Sequence, residues 1–352
     1  MKPRFAIETL ALTTRYPFII ARGGAQQFEN LVLRIEAGGL VGEGEGSPTH
    51  YYGETTPITR AALEYLLAAL AEPLAAAVGA LSPAAIAGLM DAADRRLAGN
   101  PAAKAALDGA LWDLLGKQQG APVWRLLGFT QPARLESSFT IALAEPALML
   151  ARAQEAVAAG YGILKLKAAS ERDIEVVEAV AAATGARLRV DANGSWRAET
   201  ALPALERLAM AGVEFVEQPL ELDDLAGYRA LVGRAPLPIV LDESIHDALG
   251  LEIFGELADG VNLKISKLGG ITRCVALARS ARELGLDLMM GCMIESSLGI
   301  AQALQLAPLL RWADLDGALL LAADPYAGLT EAAGVFTLGE GPGLGVLRRE
   351  PR

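Results

Sequence analysis

The chain has 352 residues, of which 52% are hydrophobic, so it is large and apolar enough to fold around a sizeable core. Forty-two acidic residues against 31 basic ones give a net charge of −11. Because such a surface repels nucleic acids and anionic membranes, we expect neither as a partner. The two cysteines stand in no metal-binding or disulfide spacing, and the first residues lack the apolar segment of a signal peptide. These features predict a globular protein of the cytoplasm.

Three short β-rich segments with glycine-rich turns open the chain, and they predict an antiparallel sheet. They are "RFAIETLAL", "NLVLRIEAG" and "LVGEGEG". The stretch between the first two, "TTRYPFIIARGGAQQFE", predicts a loop. Helical patterns follow, among them "PAAKAALDGALWDLLGKQQG", whose Gly120 is suited to end a helix. We therefore predict an α+β domain over residues 1–125.

From about Leu135 onward, apolar β-type segments alternate with amphipathic helical segments, which predicts βα units and a parallel sheet. The eight strand candidates are "SSFTIAL", "YGILKLK", "ARLRVD", "VEFVE", "PIVLD", "GVNLK", "LDLMMG" and "RWADLD". Eight units favour closure into a barrel. The alternative is an open doubly wound sheet, although no G-x-G-x-x-G motif follows the first strand.

The segments together predict the α/β class, with a modified (β/α)7β TIM-like barrel over residues 126–325. This part is shorter than a full barrel of roughly 250 residues, so we expect the last helix to be absent or reduced. Residues 326–352 contain the glycine-rich segment "VFTLGEGPGLGVL" and are expected to return to the first domain.

Charged residues stand where five of the apolar strands end. They are Lys167, Asp191, Glu217, Asp242 and Lys264, spaced 22 to 26 residues apart. Because the carboxyl ends of barrel strands share one rim, where active sites are built, these side chains are predicted to converge. Three converging carboxylates favour a hard divalent cation such as Mg²⁺, and the absence of His or Cys at these ends disfavours zinc. The alternative for each acid taken singly is a helix cap or a turn.

The lysines in "GYGILKLKAA" lie two residues apart, so Lys165 and Lys167 share one face of a strand. A second ammonium group and a nearby Mg²⁺ both disfavour the charged form of a lysine, so we expect a lysine pKa to fall toward neutrality and that lysine to act as a base. The alternative is two solvated lysines on an exposed strand. Lys267 is a second candidate near Lys264, but it is expected to lie in a loop.

Five motifs occur in order along nearly the whole chain. They are "KLK" at 165–167, "DAN" at 191–193, "VEQP" at 216–219, "LDES" at 241–244 and "NLKISKLGG" at 262–270. With these motifs the chain resembles the muconate-lactonizing subgroup of the enolase superfamily. The resemblance implies that the N-terminal domain caps the barrel and that Asp191, Glu217 and Asp242 bind Mg²⁺. It also implies that Lys167 and Lys264 flank the substrate α-carbon, and that Lys165 assists Lys167 and helps neutralise an enediolate intermediate.

Three further segments narrow the predicted substrate. Asp314 and Asp316 form a D-x-D near the eighth strand, which resembles the pair that binds the α-ammonium in dipeptide epimerases. Arg22 lies in a segment that resembles the family's capping loop, and it is a candidate to bind a substrate carboxylate. Glu295, in "GCMIESSLG", is a candidate to contact the site or orient a lysine.

The leading hypothesis is an isomerase: a Mg²⁺-dependent epimerase of dipeptides, small-molecule substrates whose C-terminal α-carbon would be inverted. One alternative is an N-succinylamino acid racemase or o-succinylbenzoate synthase, whose substrates have no free α-ammonium. The other is a catalytically silent barrel that binds a metabolite. The side chains of the dipeptide are left open, and so is a homo-oligomeric state, which is frequent in the family.

Overall fold

The computed structural model describes residues 3–130 and 134–350. An antiparallel sheet of three strands opens the chain, with the order β1-β2-β3. Its strands are β1 (Arg4–Ile20), β2 (Gly23–Ala37) and β3 (Leu40–Gly46). Five helices follow: α1 (Thr56–Ala69), α2 (Ala71–Ala77), α3 (Pro83–Arg96), α4 (Pro101–Gln119) and α5 (Val123–Leu126). The predicted antiparallel sheet followed by helices is confirmed.

The segment predicted as a loop between β1 and β2 is mostly strand, which corrects the sequence prediction. Strands β1 and β2 continue through this segment and form a long hairpin, in which the pairing register shifts between Thr13 and Phe18. Backbone hydrogen bonds from Leu143 N to Ile19 O (2.9 Å) and from Arg15 N to Leu320 O (2.9 Å) hold this hairpin against loops of the barrel. These tertiary hydrogen bonds were not visible in the local pattern that suggested a loop.

Helix α4 is buried over almost its whole length and lies directly on β3. Alternating glycines on β3 make this approach possible: a Cβ at Gly44 would lie 2.3 Å from Ala106 O, and one at Gly46 would lie 2.0 Å from Ala102 O. The helix ends, as predicted, at Gly120 with a left-handed φ of 61°. Close contact between backbones therefore fixes α4 to the N-terminal sheet.

The second half of the chain is an eight-stranded parallel sheet. Its strands are β5 (Phe139–Ile141), β6 (Ile163–Lys167), β7 (Arg187–Asp191), β8 (Val213–Glu217), β9 (Ile239–Leu241), β10 (Gly260–Leu263), β11 (Asp287–Gly291) and β12 (Trp312–Asp314), with β4 (Arg134–Glu136) just before them. They are paired in sequence order from β5 to β12. All eight predicted strands are confirmed.

The sheet closes into a barrel through the residues just before β5. Ser137 forms a parallel bridge with Ala313 of β12, and Ser138 N donates to Ala313 O at 3.0 Å. Four buried apolar side chains, from Phe215, Val240, Met289 and Trp312, form a separate cluster. The predicted barrel is thus confirmed over the open-sheet alternative.

Helices connect the barrel strands. They are α6 (Pro146–Ala158), α7 (Glu171–Thr184), α8 (Ala198–Met210), α9 (Leu225–Leu231), α10 (Ala248–Phe254), α11 (Ile265–Leu268), α12 (Ile271–Glu283) and α13 (Ser297–Leu304). Within residues 315–350 no α-helix follows β12, as the short length of the barrel part predicted. None of the helices in the described ranges is long and apolar enough to cross a membrane.

The tail contains four short strands, β13 (Tyr326–Ala327), β14 (Thr330–Ala332), β15 (Val335–Thr337) and β16 (Leu347–Arg348). It reaches the N-terminal half, because Val123 N donates to Gly343 O (3.0 Å) and Leu344 N to Asp113 Oδ1 (2.9 Å). The boundaries 1–125, 126–325 and 326–352 stay a prediction, and their extreme ends, residues 1–2 and 351–352, lie outside the described residues.

The β3–α4 contact gives a test of the fold. We expect Gly44→Ala to lower the free energy of unfolding by about 3 kcal/mol, because its Cβ meets backbone atoms of a helix that cannot yield locally. Gly79→Ala is the matched control, since a Cβ there meets nothing within 4 Å, and its effect should stay within about 0.5 kcal/mol. Urea unfolding of both variants measures the difference; equal stabilities would contradict the close contact.

Candidate active site

Lys165 lies at the centre of the charged rim, fully buried on β6. Its Nζ is 2.6 Å from Asp314 Oδ2, 2.8 Å from Glu217 Oε2 and 3.1 Å from Asp191 Oδ2. The ammonium therefore joins carboxylates from β7, β8 and β12. The charged strand ends converge, as predicted. The alternative of two solvated lysines on an exposed strand is wrong.

Two further lysine–carboxylate pairs flank this centre. Lys167 Nζ donates to Asp191 Oδ2 at 2.6 Å, and Lys264 Nζ donates to Asp242 Oδ2 at 2.6 Å. Lys167 ends β6 and Lys264 follows β10, with three barrel strands between them. The two ammonium groups thus belong to separate sides of the rim, with the carboxylates between.

Lys267 lies in the short helix α11, not in a loop as predicted. Its Nζ donates to Asp242 Oδ1 (2.7 Å), Asp242 O (2.7 Å) and Asn262 O (2.9 Å). Because an ammonium group has three N–H donors, these acceptors use all of them. Lys267 is therefore a structural cation, which leaves Lys264 as the better candidate base.

The charges at the rim shift one another's pKa values. Burial alone would raise the pKa of Asp191, but the ammonium groups of Lys167 and Lys165 lower it to about 2. Burial and the neighbouring Asp191 raise the pKa of Glu217 to about 7, although Lys165 opposes this. Burial would lower the pKa of Lys165 and of Lys264, yet the surrounding carboxylates raise both.

Among the protein's own groups, the pKa values of Lys165 and Lys264 are thus raised and do not fall toward neutrality, and the expected fall beside Mg²⁺ stays a prediction. The carboxylates that contact these lysines, which the sequence pattern does not reveal, are the reason. At distances below 3 Å the attraction to a carboxylate outweighs the repulsion between ammonium groups that lie farther apart.

The two acids of the D-x-D lie in different surroundings. Asp314 accepts from Ser138 Oγ (2.8 Å) and from Lys165, and burial is outweighed by Lys165, so its pKa is lowered. Asp316 accepts from Thr140 N at 2.6 Å. Burial and the nearby Asp314 raise the pKa of Asp316 to about 7. Both acids belong to the rim, but only Asp314 already has a cation as partner within the described ranges.

Glu295 is buried after β11 and accepts a hydrogen bond from Ser266 Oγ at 2.8 Å. Ser266 accepts in turn from Ser47 N at 3.0 Å. Burial and the nearby Glu45 raise the pKa of Glu295 to about 7. Glu295 thus connects the segment after Lys264 to the N-terminal sheet, and it forms no ion pair with a site lysine in the part of the chain that the structure describes.

Arg22 lies at the tip of the β1–β2 hairpin, above the rim. Its guanidinium carbon is 4.1 Å from the centroid of the Tyr51 ring, and its Nε is 4.0 Å from Glu243 Oε1. Tyr52, next in the chain, makes an edge contact with the His246 ring at 5.1 Å. Two segments of the N-terminal part therefore cover the mouth of the barrel.

Four polar residues of the site were quoted in motifs but given no function at the sequence level: Asn193, Gln218, Glu243 and Asn262. Asn193 (φ 46°) and Gln218 (φ 39°) both have left-handed backbones, which are uncommon outside glycine. Gln218 Oε1 accepts from Asp242 N at 2.9 Å, and Asn262 Nδ2 donates to Glu217 Oε1 at 2.8 Å. The signal that could have found them is their position within or directly beside the strand-end motifs.

Four buried acceptor oxygens of this rim have no hydrogen-bond donor among the described residues. They are Asn193 Oδ1, Glu217 Oε2, Glu243 Oε2 and Asn262 Oδ1. Glu217 Oε2 does lie 2.8 Å from Lys165 Nζ, but as a charge contact without hydrogen-bond geometry. Buried acceptors without partners are rare, and Glu217 is one of the three predicted ligands, so its free carboxylate oxygen fits a small divalent cation. Lysine ammonium groups lie between the carboxylates. Among the described residues, no three acids are therefore close enough together to coordinate one metal ion as they stand.

A parallel barrel whose strand ends carry acids flanked by lysines, together with an N-terminal sheet-and-helix part, places the chain among the α/β-barrel enzymes whose active sites lie at the carboxyl ends of the strands. Residues 148–350 match the family described as "Enolase C-terminal domain-like". Residues 6–128 match "Mandelate racemase / muconate lactonizing enzyme, N-terminal domain". The chain belongs to the mandelate racemase/muconate lactonizing enzyme family of the enolase superfamily, and the predicted family is confirmed.

Similar proteins cover nearly the whole chain. A hydrophobic dipeptide epimerase of Roseobacter litoralis is 36% identical over 96% of both chains. An L-Ala-D/L-Glu epimerase of Escherichia coli is 36% identical over 92% of this chain and 94% of its own. A dipeptide epimerase of Enterococcus faecalis, solved with Mg and L-Leu-L-Tyr, superposes with a TM-score of 0.90 at 32% identity over 98% of this chain and 99% of its own. These relatives are isomerases, which confirms the predicted class of enzyme, and the solved one contains the predicted cation.

Lys165 should contribute strongly to stability, because it offsets three buried carboxylates. We expect Lys165→Met to lower the free energy of unfolding by about 3 kcal/mol at pH 8. In the variant the carboxylates bind protons more tightly when folded than when unfolded, so its stability rises as the pH falls. The difference in the free energy of unfolding between Lys165→Met and the wild-type protein should therefore become smaller from pH 8 to pH 5.

Urea unfolding across this pH range measures the effect. Arg172→Met is the control, because it removes an exposed pair with Glu145 that contributes at most about 1 kcal/mol. A loss in Lys165→Met that is as small as in the control would show that the rim carboxylates do not depend on Lys165.

Proposed function

We propose that the chain catalyses the epimerisation of a dipeptide at the α-carbon of its C-terminal residue. The observation that carries this proposal is the pair of buried lysines, Lys167 and Lys264, on separate sides of one carboxylate-lined rim. Two bases that face one carbon from both sides allow a proton to leave on one face and return on the other. The names of the similar proteins support the dipeptide as the substrate class.

In the proposed reaction, one lysine is neutral and takes the α-proton, while the opposite one is an ammonium and donates a proton to the other face. The electron pair of the broken C–H bond passes into the carboxylate, which gives an enediolate, and it returns to carbon when the second proton arrives. Lys165 lies among the rim carboxylates and supplies a fixed positive charge near this developing negative charge. Protonation states of Lys167 and Lys264 are exchanged in each turnover.

Asp191, Glu217 and Asp242 would hold Mg²⁺, and Glu217 Oε2, which has no hydrogen-bond donor in the described ranges, is the one of their oxygens that supports this assignment. When bound, the cation would neutralise the substrate carboxylate and make the α-proton easier to remove. Asn262 would orient Glu217 through its hydrogen bond, and Gln218 would fix the backbone of Asp242.

We further assign the substrate's α-ammonium to Asp314 and Asp316, and an acidic C-terminal side chain to Arg22. Asp316 is the stronger candidate for the ammonium, because Asp314 is already paired with Lys165. Glu295 is assigned a positioning function through Ser266 in place of a substrate contact.

The pairing of Asp314 with Lys165 also favours a second candidate, an N-succinylamino acid racemase. With one of the two acids engaged, the rim offers less negative charge for a free ammonium group. The same two lysines would serve this reaction, so only the substrate distinguishes the two candidates.

The first experiment is incubation in D₂O with Mg²⁺ and a library of L,L-dipeptides, followed by mass spectrometry. The proposal expects a gain of one mass unit in a subset of dipeptides, because the returned proton comes from solvent. Exchange in N-succinylamino acids alone would support the second candidate. No exchange in either set would overturn both and favour a barrel that only binds a metabolite.

The lysines can be tested separately. Lys167→Ala and Lys264→Ala should each lower epimerisation at least about 1,000-fold, because both faces need a base. Each variant should still exchange deuterium into one of the two epimers, the one whose proton faces the remaining lysine. Arg172→Ala, a surface change, is the control. Near-wild-type epimerisation in either lysine variant would refute the two-base assignment.

The metal assignment has a test that needs no turnover. We expect 5 mM Mg²⁺ to raise the thermal unfolding midpoint of the wild-type protein, because a ligand that binds only the folded state stabilises it. Glu217→Gln should lose this shift, and EDTA should abolish it. A shift of the same size in Glu217→Gln would mean that the cation binds elsewhere.

A further inference from the structure

The Arg22 side chain at the mouth of the barrel is contacted on three sides by other residues. The Tyr51 ring lies under the guanidinium at 4.1 Å, and Glu243 faces its Nε at 4.0 Å. The third side is Gly194, where an added Cβ would come within 2.9 Å of Arg22 Nη2. With 29% of its side chain exposed, Arg22 keeps access to a ligand while its position is defined.

Glu243 is nine-tenths buried and is only partly satisfied by the protein. Its Oε1 accepts from Asn193 Nδ2 at 3.2 Å, and its Oε2 has no donor within the described ranges. The distance of 4.0 Å to Arg22 Nε exceeds a hydrogen bond, so the two form a loose ion pair. The donors of Arg22 therefore stay available, although its charge is offset nearby.

We propose that Glu243 determines side-chain specificity through Arg22. When the substrate's C-terminal side chain is uncharged, the Glu243 carboxylate pairs with Arg22 and neutralises its charge. When that side chain is acidic, the substrate carboxylate replaces Glu243 as the partner of Arg22. The inference rests on the proposed dipeptide epimerisation and adds a residue to it. Without a counter-charge, Arg22 at a partly buried mouth would favour acidic side chains and disfavour uncharged ones. Glu243 reduces this bias, so one mouth serves both kinds of dipeptide.

The test compares two substrates of equal shape, L-Ala-L-Glu and L-Ala-L-Gln, by their kcat/KM values at pH 8. We expect Glu243→Gln to raise the Glu/Gln ratio about fivefold, mainly through a lower KM for L-Ala-L-Glu, because a partly exposed ion pair contributes about this factor. Arg22→Gln should lower the ratio about tenfold. In the double variant the ratio should equal that of Arg22→Gln, since Glu243 acts through Arg22.

Glu221→Gln is the matched control. Glu221 lies beside Gly194, is exposed, and has no ion-pair partner in the part of the chain that the structure describes, so the ratio should stay within twofold of wild type. The Mg²⁺ concentration for half-maximal activity is measured in each variant, because Glu243 follows Asp242. An unchanged value shows that the ratio reports the side chain and not the metal site.

Several outcomes overturn the inference. They are a ratio that stays or falls in Glu243→Gln, and a ratio that still rises when Arg22 is absent. If Glu243→Gln does not fold, Glu243→Asp replaces it, because it keeps the charge but withdraws it by one methylene, and the ratio should rise by a smaller factor. Folded variants that lose activity on both substrates to the same extent also overturn the inference.

If the wild-type protein exchanges deuterium into no dipeptide, the proposed function fails and the inference with it. Exchange in the wild-type protein with unchanged ratios in the variants overturns the inference alone.

Discussion

Mutual neutralisation of buried charges at the barrel rim is the constraint on which the rest of the site depends. An isolated carboxylate or ammonium group in this position would lose several kcal/mol of solvation. Lys165 lies within 3.1 Å of three carboxylates, Lys167 contacts Asp191 as well, and Lys264 and Lys267 both contact Asp242. The period of two along β6 and the shared direction of the parallel strands bring these groups together.

The same neutralisation sets the condition for catalysis. Asp242 contacts two lysines, and burial is outweighed by Lys264 and Lys267, so its pKa is strongly lowered. Because interactions between protonation states are reciprocal, whatever draws Asp242 away from Lys264 lowers the pKa of that lysine. In the proposed reaction, Lys264 would become a base at neutral pH when its contact with Asp242 Oδ2 is lost, and not through repulsion between lysines alone. Lys267 donates to the other carboxylate oxygen, Oδ1, and to the backbone oxygen of Asp242.

The parts of the molecule that sequence reasoning predicted are those set by period and chain order. Strand ends carrying a charge after an apolar segment identified the rim acids and lysines, because the barrel repeats one geometry. The features that sequence reasoning missed depend on contacts between segments that are distant in the chain. The hairpin at Thr13–Phe18 is held by the loop around Leu320, and the approach of Arg22 to Glu243 joins residues more than 200 positions apart. No local pattern encodes such distances.

Under the proposed function, the barrel half of the chain would carry out the chemistry and the N-terminal half would select the substrate side chain. The barrel supplies the lysines and carboxylates, whose positions are fixed by buried strands. Arg22 and Tyr51, which would lie nearest to a substrate side chain in the proposed function, come from the N-terminal half, whose hairpin is held by a few backbone hydrogen bonds to barrel loops. Loops on a rigid scaffold tolerate change better than strands do. Glu243 lies beside Asp242 in the chain and close to Arg22 in space, so a substitution of Glu243 that changes selectivity must leave the neighbouring acid in place.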